Sequence, residues 1–210
     1  MKKLSSFIAL VLLSVFLLSA CSFPFGMKKP EPFERGTIIG TSYYNFQANI
    51  KYTIPIGWEG RTGEEAQASA QEDLENMDID PKDKDLSVSF MDFSCKNPNS
   101  GSNFSVTYSP ILSSKKFDTL VTNTVADVIS KAKDLGLTFE KVDSFTATIA
   151  GRENRVEVLE TTYRGVTLKE YACFCEIDSY ACIIIIVPNT FVDDTESFEN
   201  IIKSFTAIEQ

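Results

Sequence analysis

The stretch Ala181–Pro188 reads ACIIIIVP and is apolar at every position. A strand with one face in water alternates apolar and polar residues, so a run of this kind belongs to a central strand covered on both faces. The chain must therefore supply a layer for each side of one sheet. Thr138–Ala150, Asn154–Tyr163, Thr167–Ile177 and Tyr180–Val187 read as four successive strands joined by Gly-containing or Asp-Ser turns. Leu86–Cys95 and Asn103–Pro110 read as a hairpin around KNPNSGS. Thr37–Thr53 reads as two short strands broken near Asn45–Asn49.

Three helices accompany these strands. Phe117, Leu120, Val121, Val125, Val128, Ile129, Ala132 and Leu135 follow the 3.6-residue period, and Gly136 supplies a stop. Thr62 with Glu65 three residues on is a capping box that opens a helix through about Met77, with a thin stripe of Ala66, Ala70, Leu74 and Met77. A last helix is expected from Asp194 to Ser204, capped by Asp193, with Phe198, Ile201, Ile202 and Phe205 buried. Helices separated by blocks of hairpin-linked strands predict an α+β fold: an α/β/α sandwich with a mainly antiparallel central sheet and helices on both faces.

The chain opens with MKKLSSFIALVLLSVFLLSACS. Lys2 and Lys3 precede an uncharged apolar run, Phe7–Leu18, which has the length of a signal-peptide core and is too short for a membrane span. Leu18-Ser19-Ala20-Cys21 resembles the lipobox of bacterial lipoprotein signal peptides. That resemblance implies cleavage before Cys21 and acylation of its thiol, and several acyl chains anchor durably because each buried CH₂ contributes about 0.8 kcal/mol. The expected organisation is a signal peptide over 1–20, a lipidated Cys21 with a Pro- and Gly-containing tether over 21–36, and one domain over 37–210. The expected location is outside the cytoplasmic membrane, at the cell surface or in the periplasm.

Charge excludes one class of partner. Of 20 Lys and Arg, Lys2 and Lys3 lie in the leader, so 18 remain against 29 Asp and Glu, a balance of about −11. Phosphate backbones and anionic headgroups repel such a domain, so nucleic acid is not expected as a partner and only the acyl group holds the chain to a bilayer. The chain has 0 His, which removes Ser-His and Cys-His nucleophilic pairs and the commonest zinc ligand.

Few residues suggest chemistry. Asp78, Asp80, Asp83 and Asp85 alternate closely enough for a weak calcium loop, but the positions that need Gly and Glu hold Asp83 and Ser89; a solvated loop balanced by Lys82 and Lys84 is the plainer reading. A glycan hydrolase needs two carboxyls about 5 to 9 Å apart. Glu170 and Glu176 share a strand face but stand six residues apart, which is too far. Tyr43 and Tyr44, adjacent on a strand, face opposite ways, which opens one of them to exposure, but core is the plainer reading.

Several phrases, in this order of elements, resemble the PsbP-like superfamily. They are YTIPIGW (Pro55, Gly57, Trp58), FSVTYSPI, EKVDSFTATIAGRENRVEV with Gly151 and Arg152, GVTLKEYACF, DSYACIIII and FENIIKSF. That group includes a photosystem II extrinsic subunit, a yeast Ran-binding nucleotide-release factor and bacterial lipoproteins. The resemblance implies the fold and a non-catalytic module that binds protein partners, here an envelope protein, with no cofactor and no catalytic motif to carry over. Pro55, Gly57 and Trp58 are expected to shape a bend, and Gly151-Arg152 a hairpin turn.

Cys173, Cys175 and Cys182 fall within YACFCEIDSYAC; Cys95 lies apart. If Asp178-Ser179 is a two-residue loop, Cys175 faces Cys182 and Cys173 lies next on the same face. Two readings stay open: reduced thiols acting as small hydrophobes, or a Cys175–Cys182 cross-strand disulfide, which an extracytoplasmic location permits. No Cys-x-x-Cys spacing is present for zinc or a redox motif.

Overall fold

The computed structural model of the protein describes residues 32–75, 89–111, 116–134, 138–163, 166–188 and 196–209. Cys21 and the Asp78–Asp85 loop lie outside the described residues, so the anchoring and calcium expectations have no coordinates to meet.

Two antiparallel sheets form the body. The larger has seven strands in the order β4-β5-β6-β10-β9-β8-β7. These are β4 (Glu59–Thr62), β5 (Phe90–Lys96), β6 (Asn103–Pro110), β7 (Thr138–Ile149), β8 (Arg152–Tyr163), β9 (Val166–Ile177) and β10 (Tyr180–Val187). The apolar run is β10: it lies between β6 and β9, and every one of its residues is buried. Each isoleucine so buried contributes about 1.5–3 kcal/mol of transfer free energy. The smaller sheet has the order β1-β2-β3-β11, from β1 (Thr37–Ile39), β2 (Ser42–Asn45), β3 (Ile50–Thr53) and β11 (Phe205–Thr206).

The helices are α1 (Gly63–Glu75), α2 (Phe117–Asp134) and α3 (Phe198–Lys203). On one face of the seven-stranded sheet, Val121, Val125, Val128 and Ala132 of α2 pack against Leu159, Ala172, Phe174, Ile183 and Ile185. On the other, Tyr43, Ile50, Tyr52 and Phe205 of the small sheet and Phe198 and Ile201 of α3 meet Phe93, Phe104, Val156, Ile184 and Ile186. The domain is thus α+β and built on antiparallel sheets, and the layer opposite α2 is supplied by a sheet together with a short helix. α1 packs on β4 and β5, where Ala66 is buried and Arg61 donates to Ser69 Oγ at 2.5 Å.

Three expectations change in detail. Residues 37–53 hold three strands, because the chain also turns after Ile39. β4 and β11 were not expected: each owes its strand form to pairing, β4 with β5 and β11 with β3. The last helix starts at Phe198, and its cap is Ser197, whose side chain accepts from Asn200 N; Asp193 and Asp194 lie outside the described residues.

Two bulges interrupt the large sheet. One falls between Met91 and Phe93 of β5, leaving Asp92 as the extra residue. The other falls between Lys141 and Asp143 of β7, an edge strand, and leaves Val142 exposed.

Candidate functional site

The segment expected as tether enters the fold before the first strand. Phe33 is buried, stacked on Tyr108 with ring centroids 4.2 Å apart and tilted against Tyr180 at 5.0 Å. Three residues on, Gly36 N donates to both oxygens of Asp92 at 3.0 and 2.9 Å. The same carboxylate accepts from Tyr43 Oη at 2.6 Å and Asn45 Nδ2 at 2.9 Å. Asn45 Nδ2 also donates to Glu34 O at 3.0 Å. Asp92 is fully buried, and donors aimed at its oxygens replace the water that burial removes. Burial, reinforced by the Asp92 charge and hydrogen bond, pushes the Tyr43 phenol well above its ordinary value. Gly36 is required here by close approach, since a Cβ would fall 2.7 Å from the Tyr44 carbonyl oxygen. Arg35 covers this junction with its guanidinium 4.6 Å from the Phe90 ring centre.

The cysteine-rich hairpin has the tight loop that brings Cys175 opposite Cys182. Ile177 faces Tyr180 across Asp178-Ser179, and Asp178 takes a left-handed φ of 55°. Cys95, Cys173, Cys175 and Cys182 are all buried and unpaired. The Cys182 thiol donates toward Cys175 and lowers the Cys175 pKa; burial works against this and the Arg152 charge works with it. The Cys182 thiol itself is pushed well up, by that hydrogen bond and by burial. Burial pushes Cys95 up to about 12 and raises Cys173 as well.

One row of side chains crosses the sheet through this pair. Cys182 stands opposite Tyr108 on β6, and continuing the β8–β9 register one step places Asn154 opposite Cys175. Asn154 and Tyr108 are buried in the layer beneath the small sheet, and Asn154 Oδ1 has no partner in hydrogen-bonding geometry. Tyr108 Oη lies against both Cys182 and Tyr43. Arg152, expected as part of a turn, is instead the first residue of β8: the left-handed loop is Ala150-Gly151, with φ of 50° and 77°, which suits Gly at its second position. Its guanidinium donates to Ala48 O, tying the β7–β8 hairpin to the small sheet.

Glu170 and Glu176, the two carboxyls weighed for hydrolysis, do not form an accessible pair. Glu170 is wholly buried with both oxygens unpartnered, so burial raises its pKa well above the carboxylate range. Glu176 is exposed. A wholly buried acid has no access to a glycan, and its strand-mate is no closer than the sequence spacing allowed. Glu157, opposite Ala172, is also buried but pairs with Lys141 and with Arg155 at 2.6 Å. Burial pushes Glu157 up, but the hydrogen bonds and charges of Lys141 and Arg155 outweigh it and hold the carboxyl below its ordinary value.

Pro55, Gly57 and Trp58 form the expected bend: Trp58 N donates to Pro55 O at 3.1 Å, and the indole packs on the core near Phe104. Tyr43 is the buried member of its pair. Tyr44 lies on the outer face of the small sheet, stacked on Phe46 at 5.9 Å with Lys51 Nζ 5.6 Å from its ring centre. Sequence reasoning missed Asp92, Asn154 and Tyr108. Only the register of the Asp178-Ser179 hairpin carried a signal for the last two.

No protein-family model matches the chain, and no curated protein matches its sequence. Among solved structures, the solution structure of cyanobacterial PsbP (CyanoP) from Synechocystis matches with a TM-score of 0.53 at 14% identity, covering 89% of this chain and 100% of that one. A crystal structure from Bacteroides thetaiotaomicron is matched at a TM-score of 0.43 and 13% identity, over 81% of this chain and 49% of that one. At such identity the first likeness speaks of architecture, and it agrees with the sheets described above. The chain folds as a PsbP-like domain.

Proposed function

We propose that the chain is an extracytoplasmic lipoprotein, anchored to the bilayer through acylated Cys21, that serves as a non-catalytic binding or assembly module for an envelope protein. In this reading its PsbP-like domain is an α/β/α sandwich with helices over both faces of the central sheet. The leader ending in Leu18-Ser19-Ala20-Cys21 supports the anchoring. The observation that carries the binding role is the outer face of the small sheet, which presents Phe46 at 62% and Ile39 at 56% exposure beside the half-buried Tyr44. Aromatic and aliphatic side chains grouped on a solvent face suit a protein partner, where Tyr and Phe supply contact area at low entropic cost. Ten residues separate Cys21 from Pro32, a reach of at most roughly 35 Å, so such a partner lies close to the membrane.

The test uses the full chain in its own host, with a photo-crosslinking residue at Phe46 and, as a control, at Lys133 on α2. One envelope protein is expected to crosslink from Phe46 alone, and Cys21→Ser is expected to move the chain from the membrane to the soluble fraction. Equal crosslinking from both positions removes the binding face, and unchanged fractionation of Cys21→Ser removes the anchor.

A further inference from the structure

We propose that the domain stands end-on to the bilayer, with the β2–β3, β7–β8 and β9–β10 turns facing the lipid headgroups and the Pro55–Trp58 bend facing away. This orientation rests on the anchoring through Cys21 proposed above and adds to it which end of the fold meets the lipid.

The point where the chain arrives is fastened to those turns. Phe33 lies against Tyr180, the first residue of β10, with ring centroids 5.0 Å apart. Glu34 N donates to Gln47 Oε1 at 2.7 Å, and Glu34 O accepts from Asn45 Nδ2 at 3.0 Å, which ties the entry to the β2–β3 turn. Gln47 Nε2 donates in turn to Asp178 Oδ2 at 3.1 Å in the β9–β10 turn, and Arg152, just after the β7–β8 turn, donates to Ala48 O. Turns from both sheets are thus gathered around the entry. The buried Phe33 ring and the bonds from Gly36 N to Asp92 hold it in place.

The Pro55–Trp58 bend lies at the other end. β3 leads away from the β2–β3 turn, and Ile54 N then donates to Thr41 O at 2.9 Å, beside the turn that joins β1 to β2. Beyond it, Trp58 packs near Phe104, which stands opposite Ile186, six residues along β10 from Tyr180. Six residues at strand rise are about 20 Å.

Tether length and charge then set the orientation. Ten residues join Cys21 to Pro32 and span at most roughly 35 Å, so the entry end stays near the lipid. Asp and Glu outnumber Lys and Arg, so anionic headgroups repel the domain, and a body held at one end and repelled turns its free end outward. Phe46, which follows β2, stands at the lipid end of the small sheet's outer face, and Ile39, opposite Ser42 at the start of β2, stands farther out. A protein on that face therefore lies alongside the domain.

Trp58 is the 1 tryptophan of the chain and serves as an energy-transfer donor at the far end. The full chain, purified from the membranes of its own host, is reconstituted into vesicles of phosphatidylethanolamine and phosphatidylglycerol that carry a dansyl headgroup, and flotation with the vesicles is scored first. Transfer from Trp58 is expected to be several-fold weaker than in the chain carrying Trp58→Phe with Phe46→Trp. Tyr44→Trp in the same background gives a second reading at the entry end if the first variant does not fold. Equal transfer from the two ends, or stronger transfer from Trp58, in chains that float overturns the orientation and leaves the anchor standing. Failure of the wild-type chain to float removes the anchor and the orientation with it.

Discussion

Tyr43 Oη and Asp92 Oδ2 stand 2.6 Å apart, joining the small sheet to the bulge of β5 through a fully buried contact. The bulge is what turns Asp92 inward: an uninterrupted strand has no extra residue to aim at β2. The carboxylate then gathers Gly36 N, Tyr43 and Asn45, so the entry of the chain and both sheets meet at one charge.

Tyr43→Phe removes one of those donors and keeps the ring against Phe93. A hydrogen bond to a charged group contributes about 1.5–3 kcal/mol, and the urea midpoint is expected to fall accordingly with an unchanged slope. An unchanged midpoint means that water replaces the hydroxyl.

Gly36→Ala drives a Cβ toward the Tyr44 carbonyl oxygen, which is backbone and cannot rotate away. The cost expected from such overpacking is about 1–3 kcal/mol in the same titration. The neighbouring Glu34→Ala, on an exposed residue, serves as the reference and is expected to stay near the native midpoint.

Glu170 keeps its proton in the fold, where burial raises its pKa, and loses it in the unfolded chain near about 4.3. Its contribution is therefore complete below that pH and is lost as pH rises through the raised folded value. Glu170→Met removes this dependence and the unpartnered oxygens, with an expected gain of about 1–3 kcal/mol at pH 8. Parallel stability curves for the two proteins from pH 5 to 8 contradict it.

Glu157 has the opposite sign. Lys141 and Arg155 hold its folded pKa below the ordinary value, so its contribution is present above the unfolded pKa and lost as pH falls through the folded one. Glu157→Gln is expected to flatten the acid limb of the stability curve and leave the alkaline limb alone, the reverse of Glu170→Met.

What the sequence made legible follows from local rules. Ile183–Ile186 announced a strand covered on both faces, and the Asp178-Ser179 loop set the register that pairs Cys175 with Cys182. The small sheet was harder to see. Phe205 and Thr206 look like the end of a helix until Tyr52 and Lys51 pair with them, and Glu59–Thr62 has no alternation of its own. Glu170 reads as the polar member of an ordinary alternating strand, and the alternation does not show that its face joins the buried layer of Leu159, Leu168 and Ala172. Asp92 likewise looks outward-facing, because a bulge cannot be counted from composition.

The edge strand β7 settles how the molecule behaves among its own kind. Most of its twelve residues are exposed, and among the described residues no strand pairs with its outer edge, so its backbone groups invite edge-to-edge pairing with another sheet. The displaced Val142 breaks the spacing of those groups midway, and Glu140, Lys141 and Asp143 surround the break with charge. A strand of another copy thus finds no continuous ladder to extend along this edge, which discourages lasting association of sheet with sheet.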